Sequence, residues 1–453
     1  MKKEEIFVKK FQASMVACVL SVTAILAGCG TNQQASGGNQ GTTNTAAPAQ
    51  TTASAQPASD KPVEIDFWYA LGGRNGEMIQ EMVKKFNETH KDIVVKAAYQ
   101  GNYYENHSKV LAAVSAGNQP DVTMVEVGSI GAFADAKVLE DLGPYTNGAE
   151  SKYIPGLLGN SYWKDKLYAI PFNRSTPLLY LNRDMLKAAG LDPEGPKTWE
   201  ELREFSKALT KKEGDKTSTY GFSTAIDIWF YEALVFQSGG SILTEDNKAL
   251  AINSEQGKAP IAFWTSMLKE GIMKAPPGEK YNAWDVAKQD FLNGQVGMIF
   301  TSTGDLRGLK ENAKFEVGAA FLPANKNYGA PTGGANLVVL AKSSDEEKKA
   351  SWEFINWMTD TAQTVPFSLE SGYMPVTTEA VESAEMKAAY EKEPNFQVAV
   401  KQLEYASPRP MVPGYKELQE VIMTELQRAV MGQATVEEAL QKADEKGQKL
   451  LKK

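Results

Sequence analysis

Strand-like and helix-like segments alternate along this chain from residue 63 onward, and this alternation restricts the folds that it can adopt. Val63–Tyr69 alternates apolar and polar residues, as a half-buried strand does. Apolar residues then recur at helical spacing from Met78 to Phe86, and a second strand pattern follows at Ile93–Tyr99. Strands that alternate with helices predict an α/β fold with largely parallel sheets.

The alternation continues through the rest of the chain. Ser/Thr-x-x-Glu patterns at Thr198–Glu201 and Ser344–Glu347 have the form of a capping box and predict helix starts. A helix is also predicted at Lys109–Ala116. The further predicted strands are Val122–Val127, Thr219–Thr224, Val296–Thr301, Val317–Leu322 and Leu337–Ala341.

The part of the chain from Pro62 to the end is about 390 residues long, which is too large for one hydrophobic core. We therefore expect two lobes. The sequence shows no internal repeat.

The N-terminus has the pattern of a bacterial export signal. Two lysine pairs precede an apolar run, Phe11–Ala27. The segment Leu26-Ala-Gly-Cys29 overlaps the end of this run. This pattern resembles a lipoprotein signal, in which residues 1–28 are removed and Cys29 receives lipid. The alternative is a transmembrane anchor, for which a run of about seventeen residues is at the short limit.

Residues 29–61 are rich in Thr, Ser, Gln, Asn, Gly, Ala and Pro and contain no aromatic residue. A segment of this composition cannot bury enough apolar surface to offset its conformational entropy, so it predicts a disordered linker. The chain has only two cysteines. Since Cys18 lies in the signal and Cys29 would carry lipid, we expect no disulfide.

The charge of the chain is acidic and argues against a nucleic acid as partner. The formal net charge is −8, and the signal contributes four lysines against two glutamates, so the mature chain carries −8 − (+2) = −10. No basic run offsets this balance.

Few residues point to catalysis. Only two histidines occur, His90 at a predicted helix end and His107 after Tyr-Tyr-Glu-Asn, and both are expected to be exposed. The motifs of serine hydrolases, zinc proteases, P-loop enzymes and EF-hands do not occur. We therefore expect no enzyme activity, no cofactor and no metal.

Polar and aromatic residues follow several predicted strands, where an α/β sheet binds its ligands. Glu126 ends an apolar strand, and Tyr103 follows another. Ser175 lies in Pro171–Pro177, which is interpreted as a loop between two prolines. Ser302, the Gly333-Gly334 pair and Gly372-Tyr373 offer hydroxyl groups, close backbone approach and a second aromatic ring.

The body also resembles a known family, the extracellular solute-binding proteins of family 1, which are the substrate receptors of carbohydrate-type ABC importers. The resemblance implies a type II periplasmic-binding-protein fold, with two α/β lobes joined by hinge segments and the ligand between them. The segments that carry it are Tyr99–Asn106, Ala116–Val122, Tyr168–Asp184, Pro196–Leu202, Gly333–Asn336 and Ser371–Pro375.

Gly101–Tyr103, Glu126–Gly128 and Pro171–Pro177 look most like the glycerol-3-phosphate receptors of that family. By this resemblance, Tyr103 and Glu126 would contact glycerol hydroxyl groups. The phosphate would be surrounded by Ser175, Ser302, the backbone of Gly334 and Tyr373.

One position departs from the family. The arginine that binds phosphate in these receptors aligns near Lys416, which keeps the charge but not the two-pronged geometry of a guanidinium. Arg409 is a possible substitute a few residues earlier.

The resemblance predicts a lipid-anchored, monomeric receptor on the outer face of the cell membrane that delivers glycerol 3-phosphate, or a glycerophosphodiester, to an ABC permease. A sugar receptor is the alternative, with Trp199 and Trp229 as candidate stacking surfaces. A surface-anchored hydrolase is a distant one. The predicted lobes are 62–173 plus 324–372 and 174–323 plus 373–453, with hinges near Asn173, Leu322 and Tyr373.

Overall fold

The computed structural model describes residues 61–214, 216–277 and 281–452. The predicted signal (1–28), the linker before residue 61 and the lipidation site Cys29 lie outside the described residues. Within them, no helix is long and apolar enough to cross a membrane.

The strands all belong to the two large sheets or to two short strand pairs. In chain order they are β1 (Val63–Tyr69), β2 (Ile93–Tyr99), β3 (Val122–Glu126), β4 (Tyr162–Trp163), β5 (Lys166–Leu167), β6 (Ile170–Ser175), β7 (Pro177–Asn182), β8 (Lys211–Glu213), β9 (Lys216–Ser223), β10 (Met273–Lys274), β11 (Val296–Ser302), β12 (Val317–Ala320), β13 (Ala330–Pro331), β14 (Gly333–Val339) and β15 (Ala406–Ser407).

Helices follow most strands and continue alone near the C-terminus. They are α1 (Gly73–Thr89), α2 (Tyr103–Ala116), α3 (Ile130–Asp135), α4 (Gly143–Thr146), α5 (Pro155–Leu158), α6 (Arg183–Ala188), α7 (Trp199–Leu209), α8 (Ile228–Gln237), α9 (Glu255–Glu270), α10 (Tyr281–Leu292), α11 (Leu306–Asn312), α12 (Asp345–Met358), α13 (Thr361–Ser371), α14 (Thr378–Glu382), α15 (Ala384–Lys392), α16 (Asn395–Gln402), α17 (Tyr415–Val430) and α18 (Val436–Leu451).

The first sheet has the strand order β2-β1-β3-β14-β6, and the second has the order β10-β9-β11-β7-β12, with β8 paired to β9. Both sheets are mixed. The strand β1 runs parallel to β2 and β3, whereas β14 runs antiparallel to β3 and β6. In the second sheet, β9 is parallel to β10 and β11, but β7 is antiparallel to β11 and β12.

The prediction of largely parallel sheets is therefore wrong for half of each sheet. Two neighbouring strands run parallel when a helix between them carries the chain back to the end of the sheet at which the first strand started. The strand β14 enters the first sheet after the chain has built the second one, so no such local crossover fixes its direction.

Pro171–Pro177 is also not a loop. Its residues form the end of β6 and the start of β7, and all six residues of β6 are buried. Both prolines occupy positions that a strand tolerates, since Pro171 lies in an edge strand and Pro177 is the first residue of its strand. The chain thus passes from the first sheet to the second at Thr176.

Helices cover both sheets and close their cores. In the first, Phe67 of β1 packs edge to face on Phe354 of α12 at 5.2 Å, and Phe86 of α1 packs on the same ring at 5.1 Å. In the second, Phe222 of β9 packs on Phe300 of β11 at 4.7 Å. Two separate sheets with their own helices confirm the predicted α/β two-lobed fold.

Candidate functional site

A cavity of about 190 Å³ lies where the two sheets face each other. Nine of the ten ligand residues that the sequence predicts line it, although they are spread along the chain from residue 103 to residue 416. They are Tyr103, Glu126, Ser175, Trp229, Ser302, Gly334, Tyr373, Arg409 and Lys416.

Trp199 is the one predicted ligand residue that does not line the cavity. It is the first residue of α7, its indole N–H donates to Gln237 Oε1 at 2.7 Å, and its ring stacks on Phe263 at 4.7 Å. The side chain is buried in the second core and does not line the cavity. A tryptophan just inside a helix start faces whichever side the helix packs, and here that side is the core.

Ser302 and Tyr373 form one wall. Ser302 ends β11 and accepts a hydrogen bond from Gly304 N–H at 3.2 Å, so it caps the short helical turn that follows the strand. Gly304 has no side chain, and a Cβ there would lie 2.6 Å from the Tyr373 ring. This close approach brings the phenol of Tyr373 to the cavity beside the Ser302 hydroxyl group.

Two tyrosines and an asparagine meet on the same side. Asn173 Nδ2 donates to the hydroxyl oxygen of Tyr103 at 2.5 Å. Burial raises the pKa of Tyr373, and hydrogen bonds with Asn173 and Tyr103 only partly oppose this effect. The phenol therefore stays protonated at neutral pH and can donate to a ligand oxygen.

The floor of the cavity is backbone. Gly333 pairs with Ser175, and Gly334 pairs with Arg174, in the register of β14 and β6. A Cβ on Gly333 would lie 2.4 Å from the Trp229 ring, and one on Gly334 would lie 1.9 Å from the carbonyl oxygen of Asn173. Gly334 also has φ +84°, which L side chains rarely adopt. Glycine is therefore required at both positions for the close packing of β14 against Trp229 and against β6.

Glu126 does not stand alone at the end of β3. Arg409 Nη1 donates to Glu126 Oε1 at 2.7 Å, and the same guanidinium makes a two-pronged pair with Glu232 at 2.8 and 2.9 Å. Tyr415 donates its hydroxyl proton to Glu232. Although burial opposes it, the two carboxylates raise the pKa of Arg409 well above its ordinary value.

Two lysines from different helices line the cavity. Lys288 of α10 lies 3.2 Å from Asp305 Oδ1 and 3.1 Å from Asp285 Oδ1, and Asp305 is the main reason that the pKa of Lys288 is raised. Lys416 of α17 lies over the Tyr104 ring, with Nζ 5.3 Å from the ring centre.

His107 also lines the cavity, so the prediction that it is exposed is wrong. It lies on the second turn of α2 and packs edge to face on Phe133 at 4.8 Å. Burial, with a smaller effect from Lys416, lowers the pKa of His107 to about 4. His107 is therefore neutral at pH 7. His90 instead caps the end of α1 and stacks on Phe86 at 4.0 Å.

An aromatic wall completes the cavity. Trp229 stacks on Trp284 at 5.7 Å, and its indole N–H donates to the carbonyl of Thr332 at 3.3 Å. Asp227 caps α8 by accepting from Trp229 N–H at 2.8 Å, and it accepts from Trp284 Nε1 at 3.3 Å. Burial raises the pKa of Asp227.

Most of the lining residues that the sequence did not single out lie in segments that gave no local sign of facing a cavity. Among them, only Tyr104 and His107 had a usable signal. Asn102 and Glu105 form a complete capping box, which starts α2 six residues before the predicted helix and so includes both residues in it. The residues missed are Tyr104, His107, Ser129, Asp227, Ile228, Trp284, Lys288, Asp305 and Gln419.

Nothing in the described part of the chain groups three or more His, Cys, Asp or Glu side chains in a way that could hold a metal ion. The chemistry of the cavity is instead that of hydroxyl, amide, aromatic and paired charged groups, which suits a small polar solute.

Two lobes with a polar and aromatic cavity between them define the class of solute-binding proteins. This chain belongs to the bacterial extracellular solute-binding protein family, whose model matches residues 81–397, more than half of its length. Proteins of this class bind a small-molecule solute outside the cytoplasm and work with an ABC permease.

Relatives cover nearly the whole chain. It is 30% identical over 431 residues to the sn-glycerol-3-phosphate-binding periplasmic protein UgpB of Pectobacterium atrosepticum, covering 89% of this chain and 93% of that protein. It is also 30% identical to the UgpB of Salmonella paratyphi A, over 86% of this chain and 92% of the relative.

Solved structures of solute-binding proteins have a similar fold. UgpB of Mycobacterium tuberculosis, in complex with glycerophosphocholine, has a TM-score of 0.77 at 26% identity and covers 86% of this chain and 98% of its own. Maltose-bound MalE3 of T. maritima has a TM-score of 0.76 at 24% identity, over 86% and 100% of the two chains, and shows the shared fold.

Proposed function

We propose that this protein captures glycerol 3-phosphate, or a glycerophosphodiester, outside the cytoplasm and delivers it to an ABC permease. The observation that carries the proposal is the meeting of Ser175, Ser302, Tyr373 and Gly334 in one cavity. Hydroxyl and backbone N–H groups are the donors that a phosphate group needs. The two relatives described above are glycerol-3-phosphate-binding proteins by name.

The glycerol end would lie against Glu126 and Tyr103. A carboxylate accepts hydrogen bonds from neighbouring hydroxyl groups, and its pairing with Arg409 orients Glu126 for this role. Arg409 is less suited to bind phosphate itself, because three of its N–H groups already donate to Glu126 and Glu232.

Lys416 is therefore the better candidate for the position of the family's phosphate arginine. It lines the cavity, where its Nζ lies over the Tyr104 ring. Lys288 also lines the cavity, where it pairs with Asp285 and Asp305.

A lipid anchor at Cys29 would keep this receptor at the outer face of the membrane. Two acyl chains give stable anchoring where one chain is marginal. Residues 30–61 would act as a flexible spacer, and the lobes at 62–173 plus 324–372 and 174–323 plus 373–453 would close as a monomer around the ligand.

A sugar receptor is the second candidate, and the stacked Trp229 and Trp284 favour it. Aromatic faces bind the apolar faces of sugar rings, and this pair offers one inside the cavity. Asp227 beside the two indoles could accept sugar hydroxyl groups.

Calorimetric titration of the full chain with glycerol 3-phosphate, glycerophosphocholine, glycerol and maltose tests the proposal. We expect micromolar or tighter binding of the phosphate esters, about −8 kcal/mol, and recovery of the esters unhydrolysed. Ser175→Ala should weaken their binding by about 1–3 kcal/mol through a lost charge-assisted bond. Ser115→Ala, on the exposed side of α2, is the matched control.

Heat with maltose alone would replace the proposal by the sugar receptor. Hydrolysis of an ester during the titration would instead favour the surface hydrolase.

A further inference from the structure

Arg174 is a buried guanidinium directly under the floor of the cavity. Its residue is 0% exposed, and it lies in β6 between Asn173 and Ser175. Its Nε donates to the carbonyl of Gly333 at 3.0 Å, and Nη1 donates to the carbonyl of Leu157 at 2.6 Å and to Asn336 Oδ1 at 3.2 Å.

These acceptors are all neutral. Within the described residues, no carboxylate lies at ion-pair distance from Arg174, and Nη2 has no hydrogen-bond partner. The other buried arginine of the site, Arg409, differs in this respect because two carboxylates neutralise it. A buried charge without an ionic partner is costly, which points to a use for it.

The link from Arg174 to the ligand is a single peptide unit. The carbonyl that accepts from Arg174 Nε belongs to Gly333, and the N–H of the same trans peptide belongs to Gly334, on the opposite side of the peptide plane. A charged donor on the carbonyl polarises the peptide and strengthens its N–H as a donor.

We propose that Arg174 is the specificity-determining residue for anionic ligands: it supplies fixed positive charge beneath the cavity and positions the Gly333–Gly334 peptide as an anion donor. This inference rests on the proposed function and refines it. It also accounts for binding of a phosphate where Lys416 stands in place of the family's arginine, since the charge comes from below the floor.

The test compares a dianion with a monoanion on the full chain at pH 8. The phosphate group of glycerol 3-phosphate is then doubly ionised, whereas that of glycerophosphocholine carries one charge. Arg174→Gln should weaken glycerol 3-phosphate binding by about tenfold to a hundredfold, and weaken glycerophosphocholine binding several times less.

The ratio of the two losses separates charge from structure, because a distorted cavity would weaken both esters alike. Equal losses in Arg174→Gln, or no loss, would overturn the inference while the wild-type titration still supports the proposed function. Wild-type protein that binds neither ester would overturn both.

Two further variants and one control accompany Arg174→Gln, and Arg174→Lys keeps the test decisive if Arg174→Gln does not fold. Arg174→Lys keeps the charge and should retain the preference for the dianion, and its loss would count against the inference. Lys416→Gln should reduce that preference less than a neutral residue at 174, by about threefold. A larger reduction would move the role to Lys416. Arg183→Gln, which removes an arginine paired to Glu194 and Glu316 away from the cavity, should leave both affinities unchanged.

Discussion

Buried side chains in the cleft are defined by their charged neighbours more than by their own chemistry. Arg409 and Arg174 carry the same group and are both buried, yet one donates to two carboxylates and the other to neutral oxygens. Arg409 fixes the orientation of Glu126. Arg174 donates only to neutral groups, and its charge is thereby available to a ligand. An arginine in this cleft therefore cannot be assigned a role until its partners are known.

At the same scale, His107 should make the protein sensitive to acid. Its folded-state pKa of about 4 lies below the usual 6.5, so between these values the unfolded chain binds a proton that the folded chain does not. Stability should therefore fall as pH drops from about 6.5 to about 4. The free energy of unfolding can be measured with urea at pH 7 and at pH 4.5. The difference between the two values should be smaller in His107→Leu than in the wild type, by about 1–2 kcal/mol.

Lys416→Met is the companion variant, because removing the nearby positive charge raises the His107 pKa and should reduce the acid sensitivity in part. An unchanged difference in His107→Leu would show that other groups cause the acid sensitivity.

Helix starts differ in how completely they are capped, and this difference is measurable at the scale of the element. Ser344 and Glu347 form a complete capping box at α12. At α7, Thr198 accepts from Glu201 N–H, but the Glu201 carboxylate accepts from Lys197 N–H instead of Thr198 N–H. The predicted capping box is thus confirmed at the first position and only half formed at the second.

Ser344→Ala should therefore cost about 1 kcal/mol in the free energy of unfolding, and Thr198→Ala should cost no more than that. Thermal unfolding of both variants measures the order. Thr435→Ala, which removes the cap of a third complete box at α18, is the control for an intact capping box. A larger cost for Thr198→Ala than for Ser344→Ala would mean that the one hydrogen bond from Glu201 N–H to Thr198 is enough to cap α7.

Across the whole molecule, the chain passes between the sheets at Thr176, between β6 and β7, and again between β12 and β14. These crossings lie near the hinges predicted at Asn173 and Leu322, and hinge motion there stays a prediction. Small-angle X-ray scattering should show a smaller radius of gyration when glycerol 3-phosphate is added, because a ligand that contacts both lobes favours the closed state.

Glycerol at the same concentration is the control, since it lacks the phosphate group. An unchanged radius with a ligand that binds by calorimetry would mean that the lobes do not close around it.

The sequence by itself determined the alternation of strands and helices, the two-lobed α/β class and about half of the residues that line the cavity. Periodicity depends on short-range spacing, so β1, β2 and β11 begin where their patterns begin. The residues of the rim were placed by strand ends and by family resemblance, and neither depends on distant contacts.

Tertiary structure alone decided the direction of β14, the strand identity of Pro171–Pro177, and the partners of the charged residues. Strand direction depends on the order in which the chain visits the two sheets. The pairing of Arg409 with Glu126 and Glu232 joins residues far apart in the chain, and so does the burial of His107. Such contacts leave no periodic signal in the sequence, because they arise only when separate segments pack against one another.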